Sequence, residues 1–349
     1  MNASVSFRFH GLAHLSLTTD DPRARRFFEA EYGRFGETAA TADASVRLEW
    51  TGGLSSRSGL RSHSHKVLAR WAYRIGLDGQ GAHIEAQGNG WAIPMVHHML
   101  VHPALRWTVS QRGTLLLHAA ALTIHGRSLI LTGSGGAGKT TTAALLLAYG
   151  DAAWRPHADD YVFLSADGSS LAYPTRSHVY QSLVNWVPAV GRRLTAGERL
   201  RLRLLWAVRR ASGERVKWPV RVESSRLWPG RDIVDTAQAS AIVILRRAHS
   251  RSRPTVSPIA EEDFPLRALV RMNFDEARHF VDLVEKGDGP KPRRWREEWE
   301  RSESEILRKV ADIVPAYSLD LPGSPAGGIE ARRAVVGALE ELMRRAEEP

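Results

Sequence analysis

Residues 114–150 read TLLLHAAALTIHGRSLILTGSGGAGKTTTAALLLAYG, and the fold turns on this stretch. Two apolar runs, Thr114–Ile124 and Arg127–Thr132, flank His125-Gly126, and a short turn between such runs predicts a β-hairpin. Pairing outward from that turn sets Ile124 opposite Arg127 and therefore His118 opposite Gly133. The second run stops at Gly133–Thr140, GSGGAGKT. Thr140–Tyr149 then has helix-forming composition and ends at Gly150, a C-cap signal. The order is strand, turn, strand, glycine loop, helix.

The octapeptide satisfies G-x-x-x-x-G-K-[ST], in the strand-to-helix context that the phosphate-binding P-loop, or Walker A motif, requires. The pattern nominates Gly133, Ser134, Gly135, Gly136, Ala137, Gly138, Lys139, Thr140 and Thr141 as nucleotide-binding residues. Glycines let backbone N–H groups turn in around a phosphate, and the helix N-terminus adds positive potential. Lys139 is placed to neutralise β- and γ-phosphate charge, and the Thr140 hydroxyl to ligate Mg²⁺. Further along, a strand expected within Trp154–Leu164 carries His157-Ala158-Asp159-Asp160. Paired carboxylates at a strand end can divide labour, one holding a metal and the other taking a proton from an attacking hydroxyl. Taken alone, His118 reads as a satisfied core residue; its place opposite Gly133 makes it a site candidate.

Around this core, residues 1–105 read as a small N-terminal α+β domain and 106–349 as the nucleotide-binding domain. Val5, Phe7 and Phe9 alternate as in a strand, and Asp21–Phe35 suggests a helix beginning at Pro22. Thr51–Lys66 is poor in apolar residues and reads as a loop or weak hairpin. Pro94–Gln111 has helical spacing. Asp167-Gly168 forms a turn into Leu171–Pro174, and a helix is expected at Trp295, Trp299, Ile306, Val310 and Ile313. The class is α/β with a mixed sheet.

Composition narrows the chemistry. With no cysteine, thiolate metal sites and cysteine nucleophiles are excluded. No run is long and apolar enough for a membrane span, and the N-terminus lacks the apolar core of a secretory signal, so a cytoplasmic protein is expected. The net charge is +10 and the excess is arginine, which suits bidentate contact with carboxylates and phosphates. Arg192–Arg226 concentrates that charge, with Glu198, Glu214 and Glu223 as its acidic residues. This segment reads either as a solvated surface or as a docking site for an acidic peptide or small protein. Nucleic acid is the lesser alternative, and thin aromatic interleaving, Trp206 and Trp218, argues against a single-strand stacking platform. Arg176 and Lys217 are candidate substrate contacts. His98 and His102 share a helical face near His97, but no third metal ligand is evident.

The ordered set His118, GSGGAGKTT and Ala158-Asp159-Asp160 resembles the kinase core of HPr kinase/phosphorylase and related HPr-kinase-like proteins, over about residues 112–175. The resemblance implies a fold of the phosphoenolpyruvate-carboxykinase-like type and transfer of a phosphoryl group from ATP, with Mg²⁺, to a serine hydroxyl. It implies Asp159 as base, His118 tuning or orienting it, and Asp160 with Thr140 on the metal, with the reverse order of the two aspartates as the alternative. Two departures stand out: a longer interval from Lys139 to the aspartates, and no glycine-rich signature of the bifunctional enzymes. The expected function is a serine kinase of a peptide, of the kind that tailors lasso peptide precursors. A small-molecule alcohol kinase and a non-catalytic nucleotide-dependent regulator are the alternatives. A homo-oligomer is compatible with either.

Overall fold

The computed structural model describes residues 3–36, 45–53, 59–65, 68–78, 81–214, 218–248, 253–286, 292–322 and 328–346. Lys217, with Arg215, lies outside them. The protein is mixed α/β, with parallel and antiparallel strand pairs. It divides into two compact units. One comprises Met1–Leu116 with Leu266–Leu307, the other Leu117–Pro265 with Arg308–Pro349. This differs from a boundary at residue 105, because a helical segment distant in sequence packs with the N-terminal part.

The first unit holds a six-stranded sheet of order β1-β2-β3-β6-β5-β4. The strands are β1 (Ala3–Phe9), β2 (Ala13–Thr19), β3 (Ser45–Gly52), β4 (Arg61–His65), β5 (Ala69–Asp78) and β6 (Gly81–Gly88). The expected strand around Phe7 is present; of the stretch 51–66 read as a loop or weak hairpin, Arg61–His65 forms a strand that pairs with β5, and residues 54–58 and 66 lie outside the described residues. Along β2, Ala13, Leu15, Leu17 and Thr19 are buried while the residues between them are not, the period of a half-buried strand. Helix α1 (Pro22–Tyr32) starts where predicted. The Asp21 carboxylate accepts from the Arg23 N–H at 2.9 Å, and Pro22 lacks the N–H that a first-turn residue could not use.

Helices α2 (Ile93–Val96) and α3 (His102–Ser110) flank a π turn at His97–Val101. On the side of α3, Arg106 is fully buried and meets Glu303 of α10 (Pro292–Ala311) through two hydrogen bonds, of 2.7 and 2.6 Å. Asn273 of α9 (Leu266–Glu285) and the Trp299 indole also donate to Glu303, at 3.1 and 2.8 Å. A buried charge is tolerated only when paired and hydrogen-bonded in this way. This network explains why α9 and most of α10 belong to the first unit.

The second unit is built on the predicted hairpin. Strands β8 (Ala119–Ile124) and β9 (Arg127–Thr132) pair from Ile124↔Arg127 to Ala119↔Thr132, so His118 stands one step further, opposite Gly133. His125 and Gly126 both have positive φ, as a tight two-residue hairpin turn requires. The apolar run 114–124 is not one strand. The chain bends at His118, separating β7 (Thr114–Leu117) from β8. Likewise Trp154–Leu164 holds two strands, β10 (Arg155–Ala158) and β11 (Val162–Ser165), with the aspartates in the bend between them.

Strand β15 (Thr236–Ala248) runs parallel to β9 and to β17 (Ala316–Pro322). The latter is flanked antiparallel by β16 (Thr255–Ile259). Strand β12 (Ser169–Leu171) pairs antiparallel with β15 and with β11. Helix α4 (Lys139–Tyr149) leaves the glycine loop and buries Ala143, Ala144, Leu145, Leu146 and Leu147. Burying one such leucine contributes roughly 1.5–3 kcal/mol. Helix α11 (Gly328–Arg345) packs against α4 through the same core, with Val335, Leu339 and Leu342. Short elements complete the unit: β13 (Ser177–Val179) paired with β14 (Val220–Val222), and helices α5 (Gln181–Trp186), α6 (Pro188–Arg193), α7 (Ala196–Ala211) and α8 (Ser224–Leu227).

Candidate functional site

The glycine loop connects β9 to α4 as the sequence predicts. Gly133, Gly136 and Gly138 have φ of +147°, +83° and +113°, values that residues with a side chain rarely adopt. A Cβ at Gly133 would lie 2.8 Å from the Leu245 carbonyl oxygen of β15, so close strand packing also demands glycine there. Around Gly135 and Gly136 a Cβ would meet nothing within 4 Å, so the loop is open on that side. Lys139 reaches back across the loop and donates to the Gly133 carbonyl at 2.8 Å. At the start of α4 the first N–H groups have no intrahelical acceptor, which leaves partial positive charge facing the loop. Ser134, Ala137 and Thr141 complete the connection; Ala137 closes its turn with an N–H to the Ser134 carbonyl.

The sheet brings the two aspartates to the same place. Strand β10 pairs antiparallel with β8, slipping register between Pro156 and Ala158, and the Ala119 N–H donates to the Asp160 carbonyl at 3.1 Å. His118 and Asp160 are thereby neighbours, with Nε2 and Oδ1 3.5 Å apart. The His118 ring also packs on Tyr161, centroids 5.0 Å apart. Asp159 turns the other way. Its carboxylate accepts hydrogen bonds from the hydroxyls of Thr140 and Ser177. Burial pushes its pKa above the ordinary carboxylate value, and the adjacent Asp160 charge adds to this; His178 and the two hydroxyls oppose it. The geometry therefore pairs Asp159 with Thr140 and Asp160 with His118. This favours the reverse of the sequence-based division, which set Asp160 with Thr140 and Asp159 with His118.

Several neighbours were not legible in the sequence. A cavity of about 40 Å³ opens beside Thr140 and Asp159, lined also by Thr175, Ser177, Ser224 and Trp228. Ser177 and His178 lie on β13, just beyond Arg176, where sequence reasoning had stopped. Arg176 is half-buried between Thr175 and Ser177, both of which line that cavity. From the end of β15, the Arg247 guanidinium donates to the Gly136 carbonyl at 2.8 Å, a second cation at the loop. Its only sequence signal was its place at the end of an apolar strand, which needs the parallel pairing with β9 to acquire meaning. Tyr180 is half-buried, with the Arg209 guanidinium of α7 6.0 Å from its ring. Its hydroxyl pKa is raised by burial first and by Asp160 next, against the pull of Arg209 and Arg221.

The histidines at 97, 98 and 102 play a different part. His97 shares a 2.6 Å hydrogen bond with the Tyr32 hydroxyl and packs among Phe27, Phe28 and Tyr32, while His98 is exposed. Among the described residues no three histidine or acidic side chains cluster as a metal site, and no helix is long and apolar enough to cross a membrane. No protein-family model matches this chain, and no curated protein matches it.

Proposed function

We propose that this protein is an ATP- and Mg²⁺-dependent kinase that transfers the terminal phosphoryl group to a hydroxyl, most plausibly a serine of a peptide or small protein. The fold would be of the HPr-kinase-like, phosphoenolpyruvate-carboxykinase-like type. The observation that carries the reading is the meeting, at one end of one sheet, of the glycine loop, the Thr140–Asp159 hydrogen bond and the His118–Asp160 pair. A chance motif in a glycine-rich turn would not be expected to have both carboxylates beside it. The donor set fits the cofactors. Thr140 and Asp159 present adjacent oxygens of the kind Mg²⁺ takes, and the positive-φ glycines leave an open concavity at the helix N-terminus.

In this reading the loop backbone and Lys139 hold the phosphates, with Arg247 placed to add charge at Gly136. Thr140 and Asp159 would hold Mg²⁺, which when bound spreads the negative charge developing on the transferred group. Asp160, oriented by His118, receives the acceptor proton and aligns the hydroxyl; little other chemistry is needed. The test is Lys139→Ala. Phosphoryl transfer from labelled ATP should be abolished while the protein stays folded, since the one hydrogen bond lost, to the Gly133 carbonyl, contributes only about 0.5–1.5 kcal/mol. Full transfer by this variant at saturating ATP would refute the reading. If the wild type binds ATP without any turnover, the non-catalytic regulator replaces it. If turnover occurs with alcohols and not with peptides, the acceptor class is wrong.

A further inference from the structure

Helix α7 carries an apolar face that the core does not use. It is fixed at its N-terminus by a capping box between Thr195 and Glu198, and Glu198 is ion-paired with Arg226. Leu202 is buried and Leu205, Trp206 and Arg209 are half-buried, which defines the inward side. At about 100° per residue, Leu200, Leu204 and Val208 fall together on the opposite side. They are 60%, 59% and 44% exposed. Ala207 and Ala211 fall within the same strip. Arg199, Arg203 and Arg210 border it on one side and Arg201 on the other, all exposed, and among the described residues none of these four guanidinium groups takes part in an ion pair.

We infer that this strip is the docking surface for an acidic amphipathic segment of the acceptor, a peptide whose apolar residues cover Leu200, Leu204 and Val208 while its carboxylates meet the bordering arginines. The inference rests on the kinase reading and specifies its substrate class. Three observations favour this occupant. A solvated helix face has no reason to expose three large apolar residues one above another, and four unpaired arginines around them call for carboxylates. A second copy of the same face would set arginine against arginine. Helix α7 also approaches the candidate site, by its inward face. The Arg209 guanidinium lies 6.0 Å from the Tyr180 ring, and the charges of Asp159, Asp160 and Arg209 all act on that phenol. The strip lies on the far face of α7, so a docked segment passes over the helix to bring a tethered hydroxyl to Asp160.

Binding can be measured apart from catalysis. The probe is a fluorescein-labelled helical peptide of about 14 residues, long enough to follow the roughly 16 Å strip, with leucines on one face and glutamates beside them. The protein is the full chain carrying Lys139→Ala, so that peptide binding is read without phosphoryl transfer. Anisotropy should report saturable binding, weakened about tenfold by Leu200→Ser with Leu204→Ser, and about tenfold by Arg201→Glu with Arg203→Glu. All four positions are exposed, and unchanged circular dichroism will show that the variants fold. A peptide with lysine in place of glutamate should not bind. Absence of binding, or binding indifferent to both double variants, overturns the inference. So does a protein that ignores the peptide yet binds phosphatidylserine vesicles through these residues, because α7 would then be a membrane-surface helix. If the peptide binds as expected but the wild type transfers no phosphoryl group, the kinase reading fails and the docking surface stands.

Discussion

The two aspartates should be separable by what their amides disturb. In the proposed mechanism Asp160→Asn removes the proton acceptor, which His118 faces across 3.5 Å. A positioned general base contributes roughly 10² to 10⁴ in rate, so kcat should fall by that factor, equivalent to about 2.7–5.5 kcal/mol of activation free energy. The Mg²⁺ concentration for half-maximal activity should hardly move. Asp159→Asn removes the carboxylate that accepts from Thr140, and should raise that Mg²⁺ requirement at least tenfold. His118→Phe keeps the packing against Tyr161 but releases Asp160. The Asp160 side chain is 37% exposed, so without its partner it is free to sample other rotamers. With about three staggered wells available, the loss should be some three- to tenfold. Because His118 acts through Asp160, the double variant should be no slower than Asp160→Asn alone. Steady-state kinetics with Mg²⁺ titrations decide the matter. The assignment is refuted if Asp159→Asn lowers kcat while Asp160→Asn alters only the Mg²⁺ requirement, or if the His118 and Asp160 losses multiply.

Stability offers further checks. Since the Asp159 pKa is raised on folding, its ionised form is disfavoured in the native state, and the stability it contributes is fully present below about pH 3.8 and lost as pH rises. Asp159→Asn should therefore stabilise the fold at pH 7 and lose that advantage near pH 3.5, as read by denaturant titration; destabilisation at pH 7 would mean that the Thr140 and Ser177 bonds outweigh burial. Glu303→Gln leaves the fully buried Arg106 charge uncompensated and should cost about 3–5 kcal/mol, a fall of some 10 °C in Tm. Replacing Arg106 by Met and Glu303 by Leu together should cost less than the single change; a larger loss would show that the hydrogen bonds, not the stranded charge, dominate. Gly133→Ala should impair binding of a fluorescent ATP analogue and destabilise by about 1–3 kcal/mol, because its φ is positive and its Cβ meets the Leu245 carbonyl. Gly135→Ala, with open space around it, should leave stability within about 0.5 kcal/mol.

Much of the second unit was legible because its signals are local. A two-residue turn at His125-Gly126 fixes the pairing of everything beside it, so the place of His118 opposite Gly133 followed from counting. Glycines that must take positive φ, and a helix that must start where the loop ends, are likewise statements about adjacent residues. The helix start at Asp21-Pro22 belongs to the same kind. By contrast, which aspartate faces which partner depends on a register slip in β10 against β8, and sequence carries no mark of it. Arg247 and Ser177 reach the site only because β15 lies parallel to β9 and because the segment before β13 folds back. Both are long-range choices settled by burial of the whole core.

The same distinction governs the division of the chain and the basic segment. From sequence, Trp295 and Trp299 marked an amphipathic helix, but not the surface it would cover. That was decided by Arg106, a buried cation that finds its carboxylate nearly two hundred positions away. Arg192–Arg226 announced its charge, and charge alone is compatible with a solvated face. Only when α7 is packed through Leu202 does it become plain that Leu200, Leu204 and Val208 are left outside. Sequence determined what each segment is able to form and where the glycine loop sits. Tertiary structure decided which faces remain free and which side chains meet, because those depend on contacts between residues whose separation along the chain carries no information about their distance in space.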